Sequence, residues 1–433
     1  MRPGGRASAL IEILTLVQAE WSPKGAPADR VLARYLRERR FIGGGDRRWI
    51  SDALYAILRD WRRYATLADD CGLQPTPRSA LMLWLTELDE DLQPYFSDDQ
   101  AYSPGAISVA ERESIKSVNF NNHNVLSIIV NVPDELFDLL DARFGDETRA
   151  ELLALKELAP LDIRMNGLNA DAEPPKEGSP WQPHLMAVDG FRSLGFPRLL
   201  QLDSFKAGHF EIQDEASQIC AALVDARPGM TVIDHCCGAG GKSLAIAAAM
   251  QNEGTLIASD TNRRRLDQLD QRASRAGVRI IESDLLPGHK EKRLDQIAKR
   301  HGMADRVLVD APCSGSGTWR RNPGQRWHYG PKDIQDFHRL QLEILQEAAP
   351  CVKPGGKLIY ATCSLFLEEN ERTVDAFLAQ NSDFKAVPIS QQWENSKLKP
   401  LIQPTWSTDQ NYLQLTPARH DTDGFFVAVM TRN

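Results

Sequence analysis

"MTVIDHCCGAGGKSLAIAAAM", residues 230–250, decides the fold class. Its apolar run ends in Asp234, a loop carrying Gly238, Gly240 and Gly241 follows, and a helical pattern begins near Lys242. A strand, a glycine turn and a helix make the opening of a βαβ unit. The plan repeats downstream, where "TLIASD" ends in Asp260, "VRIIESD" in Asp284 and "RVLVD" in Asp310. Such alternation predicts a parallel sheet with helices on both faces, a Rossmann-like α/β domain over residues 214–433.

In an open α/β sheet, ligands bind beyond the carboxyl ends of the strands, where glycines let the backbone come close. The loop does not fit G-x-x-x-x-G-K-[ST]. Residue 236, five before Gly241, is a cysteine, so a triphosphate cradle is not expected despite Lys242 and Ser243. Acids at several strand ends suit a ligand with ribose hydroxyls, an exocyclic amine and an α-amino group. S-adenosylmethionine fits that description, with Asp260 placed for the ribose.

Two thiols also stand at strand ends. "RVLVDAPCSGSGTWRRNPGQRW" (306–327) carries Asp310 and Cys313, and "GGKLIYATCSLFLEENE" (355–371) carries Cys363. Cytosine C5 is a poor nucleophile until a thiolate adds to C6 and turns the ring into an enamine. Loss of the C5 proton and of the thiolate then restores the base, which is covalent catalysis. The chemistry needs a thiolate in reach, an acid beside the N3/N4 edge and an aligned methyl donor. The residues alone leave open which thiol attacks.

With these motifs in hand, the sequence resembles the RNA (cytosine-5)-methyltransferases of the RsmB/NSUN type over roughly residues 145–433. The D-A-P-C-S-G and T-C-S segments, the E-E-N-E that follows, "FKAGHFEIQDEASQ" and "TDGFFVAVM" all match in order. The resemblance implies that Cys363 attacks C6 and that Cys313 assists release, with Asp310 and Lys242 completing the catalytic set. It implies a cofactor set of Cys236, Gly238, Ala239, Gly240, Gly241, Lys242, Asp260, Arg265, Asp284 and Asp310. The family's loop usually reads C-A-A-P-G-G-K-T, whereas this chain has "CCGAGGKS". A missing proline leaves the loop more to order, at a cost on the order of 1 kcal/mol.

The remaining chain fits this setting. Among 433 residues there are seven cysteines and no C-x-x-C, which suits reduced thiols in the cytoplasm better than disulfides or structural zinc. Cys220, Cys237 and Cys351 read as inert packing thiols, and the adjacent His235, Cys236 and Cys237 make poor joint metal ligands. No run is long and apolar enough for a membrane span, and "MRPGGRASALIEIL" lacks a convincing signal peptide.

The formal charge of −8 hides a local excess: from Arg30 to Tyr64 there are ten arginines against four acids. Interleaved Tyr35, Phe41, Trp49, Tyr55, Trp61 and Tyr64 read mostly as the buried stripe of amphipathic helices. Helical periodicity covers 7–20, 27–40, 46–70 and 78–90, while 92–126 shows no clear element. The expected organisation is an all-helical domain (1–144), a small αβ segment (145–213) and the methyltransferase domain (214–433); the family resemblance implies that the first binds RNA and that the second is RRM-like. Arg320, Arg321 and Arg326, beside the Cys313 loop, are expected to meet phosphate.

RNA is the expected partner, because looped or single-stranded RNA releases a cytosine from its stack at least cost. Ribosomal RNA, specifically 16S, comes first and transfer RNA second. A monomer with no metal and no membrane contact is expected. Two rivals stay open: an enzyme acting on DNA or a free nucleoside, and a non-catalytic RNA-binding assembly factor.

Overall fold

A computed structural model describes all residues except 122–123, 178–179, 194, 196, 289–301, 403–404, 406 and 408–409. Parts of the 92–126 stretch and of the Pro/Glu/Gly-rich loop after residue 170 thus lie outside the described residues. The chain divides into two compact units, Met1–Leu158 with Trp319–Asp333, and Ala159–Thr318 with Ile334–Asn433. The expected domain boundary at 144/145 falls inside the first unit.

The first unit is helical. Helices Pro3–Ala19, Ala28–Glu38, Gly44–Arg59, Trp61–Asp70 and Pro77–Glu87 follow the apolar periodicity. In the first, Leu10, Ile13, Leu14 and Val17 form one buried stripe at three- and four-residue spacing. The single helix expected over 46–70 is broken at Asp60, whose φ of −128° and ψ of 22° leave the helical region. Within 92–126 there is a helix, Val109–Lys116, opened by a capping box in which the Ser108 hydroxyl accepts from Glu111 N and the Glu111 carboxylate accepts from Ser108 N. Its S-x-x-E signature was in plain view in the sequence.

The segment Trp319–Asp333 packs as part of this unit, which corrects the phosphate expectation for two of its arginines. Arg320 and Arg326 are 3% and 1% exposed. The Arg326 guanidinium donates to the carbonyls of Val130 (3.2 Å), Asn131 (2.8 Å) and Leu155 (3.4 Å) and lies over the Trp319 ring. Trp327 stacks on Trp21 at 5.4 Å. Arg326 thus satisfies helix-end carbonyls instead of a backbone phosphate, and Arg320 is buried away from solvent.

The second unit holds two sheets. Strands β1 (Leu161–Met165), β2 (Trp181–Pro183), β3 (Gly190–Ser193) and β4 (Phe210–Ile212) form an antiparallel sheet in the order β2-β3-β1-β4. Ile163, Met165, Leu199 and Phe210 make its core. An RRM-like piece needs such a four-stranded sheet, although no helix joins β1 to β2 among the described residues.

The large sheet contains β5 (Thr231–Asp234), β6 (Thr255–Asp260), β7 (Ile281–Leu285), β8 (Ala304–Asp310), β9 (Val352–Thr362), β10 (Phe384–Ala386), β11 (Tyr412–Leu415) and β12 (Phe425–Arg432). Its order is β10-β12-β9-β8-β5-β6-β7, with β11 on β12. Strands β5 to β9 run parallel and β12 returns antiparallel beside β9. The order reverses between β5 and β8, and the crevice beyond their carboxyl ends is the ligand position of such a fold. Asp234, Asp260, Asp284, Asp310 and Thr362 all lie at those ends. Among the described residues, no helix is long and apolar enough to cross a membrane.

Candidate active site

The glycine loop runs from β5 to the helix Gly241–Ala249. Gly238 and Gly240 have φ of +56° and +81°, and a Cβ on Gly240 would fall 2.1 Å from Leu269 Cδ1. Glycine is therefore required at 240 by both conformation and space. The loop without its proline is pinned from outside. Gly238 N donates to Asp260 Oδ2 at 3.0 Å, and Arg272 donates to the carbonyl of Ala239 at 2.7 Å.

Asp260, at the end of β6, also accepts from Asn262 N at 2.7 Å, and Arg265 lies 3.6 Å from its Oδ2. Asp284 is 9% exposed at the end of β7. Cys236 packs against the apolar core between β5 and β8, where burial pushes its thiol well above the usual range. His235 meets the Ser259 hydroxyl at 3.2 Å. Among the described residues, no group of three or more His, Cys, Asp or Glu could hold a metal ion.

The helix start carries Lys242 and Ser243. Lys242 Nζ donates to Asp310 Oδ2 at 2.6 Å and lies 4.7 Å from the centre of the Phe425 ring. Burial pulls the ammonium down, but the Asp310 carboxylate outweighs it and holds the charge above the ordinary lysine range. Cys363 is also near enough to favour that charge. The Ser243 hydroxyl donates to Asp234 Oδ2 at 2.6 Å. Burial raises Asp234 to about 7, opposed by the Ser243 bond and reinforced by Asp310.

The two thiols meet. Cys313 Sγ lies 3.4 Å from Cys363 Sγ, and both side chains are partly exposed. The hydrogen bond to Cys363 and burial raise the Cys313 thiol well above its usual range. Adjacent parallel strands β8 and β9 bring the loops side by side, with Ala311 N donating to the Ala361 carbonyl at 2.9 Å and Gly317 N to the Cys363 carbonyl at 3.0 Å.

A buried carboxylate, Glu369, ties the loops together. Its Oε1 accepts from Ser314 N (2.8 Å) and Gln341 Nε2 (3.0 Å), and its Oε2 accepts from the hydroxyls of Ser314 (2.5 Å) and Ser364 (2.6 Å). Asn370 extends the clamp, accepting from the Thr362 hydroxyl at 2.6 Å and donating to the Ser364 carbonyl at 2.9 Å. Sequence reasoning placed Lys242, Asp310, Cys313 and Cys363 in one site, and they are together. It passed over Glu369, Asn370, Asp234 and Phe425 as site residues. The E-E-N-E run directly after the second thiol was the available signal.

Residues 221–431 match the family described as 16S rRNA methyltransferase RsmB/F. They belong to it. The chain is 32% identical to a "Probable ribosomal RNA small subunit methyltransferase B" of Synechocystis over 68% of its own length and 66% of that protein's. It is 33% identical to a mouse "28S rRNA (cytosine-C(5))-methyltransferase" over 52% of its length and 28% of that protein's. It spans about half the length of a further bacterial relative, from Bacillus subtilis (49%). The crystal structure of PH0851 covers 100% of this chain and 99% of its own with a TM-score of 0.76 at 23% identity, which shows the fold.

The residues present fit S-adenosylmethionine. Gly238 and Gly240 keep the loop free of side chains where the backbone must approach, and Asp260 offers carboxylate lone pairs beside it. Asp234 Oδ1 is buried with no hydrogen-bond partner, the kind of orphan a bound ligand's donors satisfy.

Proposed function

We propose that this chain methylates C5 of a cytosine in RNA, using S-adenosylmethionine. Small-subunit ribosomal RNA is the first substrate and transfer RNA the second. The observation that carries the reading is the pair of thiols 3.4 Å apart at the ends of adjacent strands, in one site with the Lys242–Asp310 pair. A lone strand-end cysteine is usually packing, but two converging beside a carboxylate and an ammonium suit covalent attack on a pyrimidine. The names of the relatives support ribosomal RNA and the C5 position.

Gly238, Gly240, Gly241, Asp260 and Asp284 would hold the cofactor, with Cys236, Ala239 and Arg265 around it. When bound, it supplies an electrophilic methyl group on a sulfonium. Cys363 adds through sulfur to C6, and the ring electrons move to C5. Asp310 accepts from the exocyclic amine of cytosine, while Lys242 fixes the Asp310 carboxylate in place. After methylation, the C5 proton passes to water, its electron pair restores the C5–C6 double bond, and Cys363 leaves as the thiolate. Cys313 keeps its proton on the side facing Cys363 and assists that expulsion, since the departing sulfur gains a hydrogen-bond donor. Glu369 holds both loops at the separation this exchange needs.

The test is transfer of tritiated methyl groups to small-subunit ribosomal RNA and to transfer RNA, followed by bisulfite sequencing. One newly protected cytosine in ribosomal RNA is expected. Label at no cytosine of either RNA would overturn the proposal.

A further inference from the structure

The second unit has a cavity of about 550 Å³ at the opposite end of the large sheet from the thiols. Asp225–Pro228, just before β5, and Gln251, just before β6, lie on its wall, so it opens at the amino ends of those strands. One side is apolar, built from Ala221, Ala222, Ala245 and Ala248. Arg164 of β1 forms part of the other.

Arg164 is 7% exposed, yet its side chain makes one hydrogen bond, from Nε to Gln213 Oε1 at 2.8 Å. Its two terminal nitrogens have no hydrogen bond and no ion pair among the described residues. Burial lowers it to about 10, so it stays charged at neutral pH. Glu211 and Asp189 lie near enough to favour its charge but make no ion pair with it; a buried guanidinium without a direct partner is costly, and the fork matches two oxygens of one anion.

The neighbouring acids are engaged. Asp225 lies 3.0 Å from Arg227, 3.1 Å from Arg306 and 3.5 Å from Lys357. Glu211 is bound by Arg272 at 2.9 Å and by Arg275. Asp189, on the wall, is exposed to solvent and outside ion-pair range of Arg164. Lys397 on the rim adds a second cation with no ion pair among the described residues. The alanine wall is apolar, as a base ring requires, and the volume exceeds what a bare inorganic anion fills.

The geometry points to a second ligand site here, in which Arg164 and Lys397 hold the phosphate of a nucleotide and the alanine wall takes its base. The phosphate belongs either to a free nucleotide or to an RNA strand. The site stands apart from the methylation reading, and its failure would leave that reading untouched.

The test uses the full chain, titrated calorimetrically with cytidine 5′-monophosphate. Saturable binding is expected, weakened at least roughly tenfold by Arg164→Gln and by Ala245→Leu, which fills the cavity without touching charge. Thermal unfolding of each variant establishes that it is folded. Competition by a short single-stranded RNA identifies the strand as the source; binding without competition identifies the free nucleotide. No saturable binding to the unmutated protein up to about 10 mM, or equal binding by folded Ala245→Leu, overturns the site.

Discussion

Cys313 Sγ and Cys363 Sγ, fifty residues apart in sequence, stand 3.4 Å from each other. The hydrogen bond to Cys363 and burial hold the Cys313 thiol well above its usual range, which disfavours a thiolate at that position. Cys363 is therefore expected to react first with iodoacetamide at neutral pH, as read by peptide mass spectrometry. Removing its donor in Cys313→Ala should change the rate of Cys363 alkylation by about threefold or more, since a sulfur–sulfur hydrogen bond of even 0.7 kcal/mol or so has that effect. Preferential alkylation of Cys313 would contradict the raised thiol at that position.

The Lys242–Asp310 pair is lopsided, with side-chain exposures of 10% and 30%. Asp310→Asn leaves a buried ammonium without its partner, which costs about 3–5 kcal/mol. Lys242→Met strands only the better solvated carboxylate and should cost clearly less. The Lys242 ammonium is raised in the folded state, so its contribution is complete below the unfolded lysine value and fades as pH climbs through the folded one. Urea unfolding of the two variants at pH 7 checks the order. Equal losses would mean that the pair is solvated alike on both sides.

Glu369 is fully buried and serves both thiol loops. Burial raises its carboxyl, so the four hydrogen bonds it accepts offset a desolvation penalty. Glu369→Ala removes the acceptor from two hydroxyls, one amide and one side-chain amide. Turnover should fall about a hundredfold, because small misplacements of reacting groups carry penalties of that size. Glu369→Gln keeps an acceptor and should be milder. Diamide cross-linking of Cys313 to Cys363 separates the roles: a folded Glu369→Ala protein that cross-links at the normal rate would show that Glu369 does not set the thiol separation.

Asp234 titrates at about 7 because it is buried. A carboxyl raised in the folded state gives stability that is complete below the unfolded value near 4 and lost as pH rises to about 7. The loss amounts to at most about 4 kcal/mol. Asp234→Asn keeps an acceptor for the Ser243 hydroxyl and should flatten the stability profile between pH 4 and 7. Denaturant midpoints across that range are the measurement. An unchanged slope would mean that another group produces it.

Much of this architecture was legible in the sequence because the catalytic domain repeats one plan, in which each apolar run ends in an acid and a small-residue turn. That pattern gave β5, β6, β7 and β8, and it placed Lys242 at the helix start after the glycine loop and Asp310 at a strand end. The meeting of Cys313 and Cys363 depends on β8 and β9 being adjacent and parallel, which strand order alone decides. Glu369 was harder to read, since a glutamate in a polar run is ordinarily solvated and only the folded loops reveal four donors around it. Arg320 and Arg326 misled for a related reason. Basic residues beside a catalytic loop suggest phosphate, but Arg320 is buried and the donors of Arg326 go to backbone carbonyls at helix ends. The break at Asp60 was invisible to periodicity, because Trp61 and Tyr64 continue the apolar spacing beyond it.

The attack of Cys363 on cytosine is tested most directly by mixing the protein with S-adenosylmethionine and small-subunit ribosomal RNA and resolving the products on a denaturing gel. Cys313→Ala should form the adduct and release it slowly, leaving protein attached to RNA. Cys363→Ala should form none and should lose methylation by at least about a thousandfold, as removal of a covalent nucleophile does. An adduct that persists in Cys363→Ala, or normal turnover by that variant, would contradict the account.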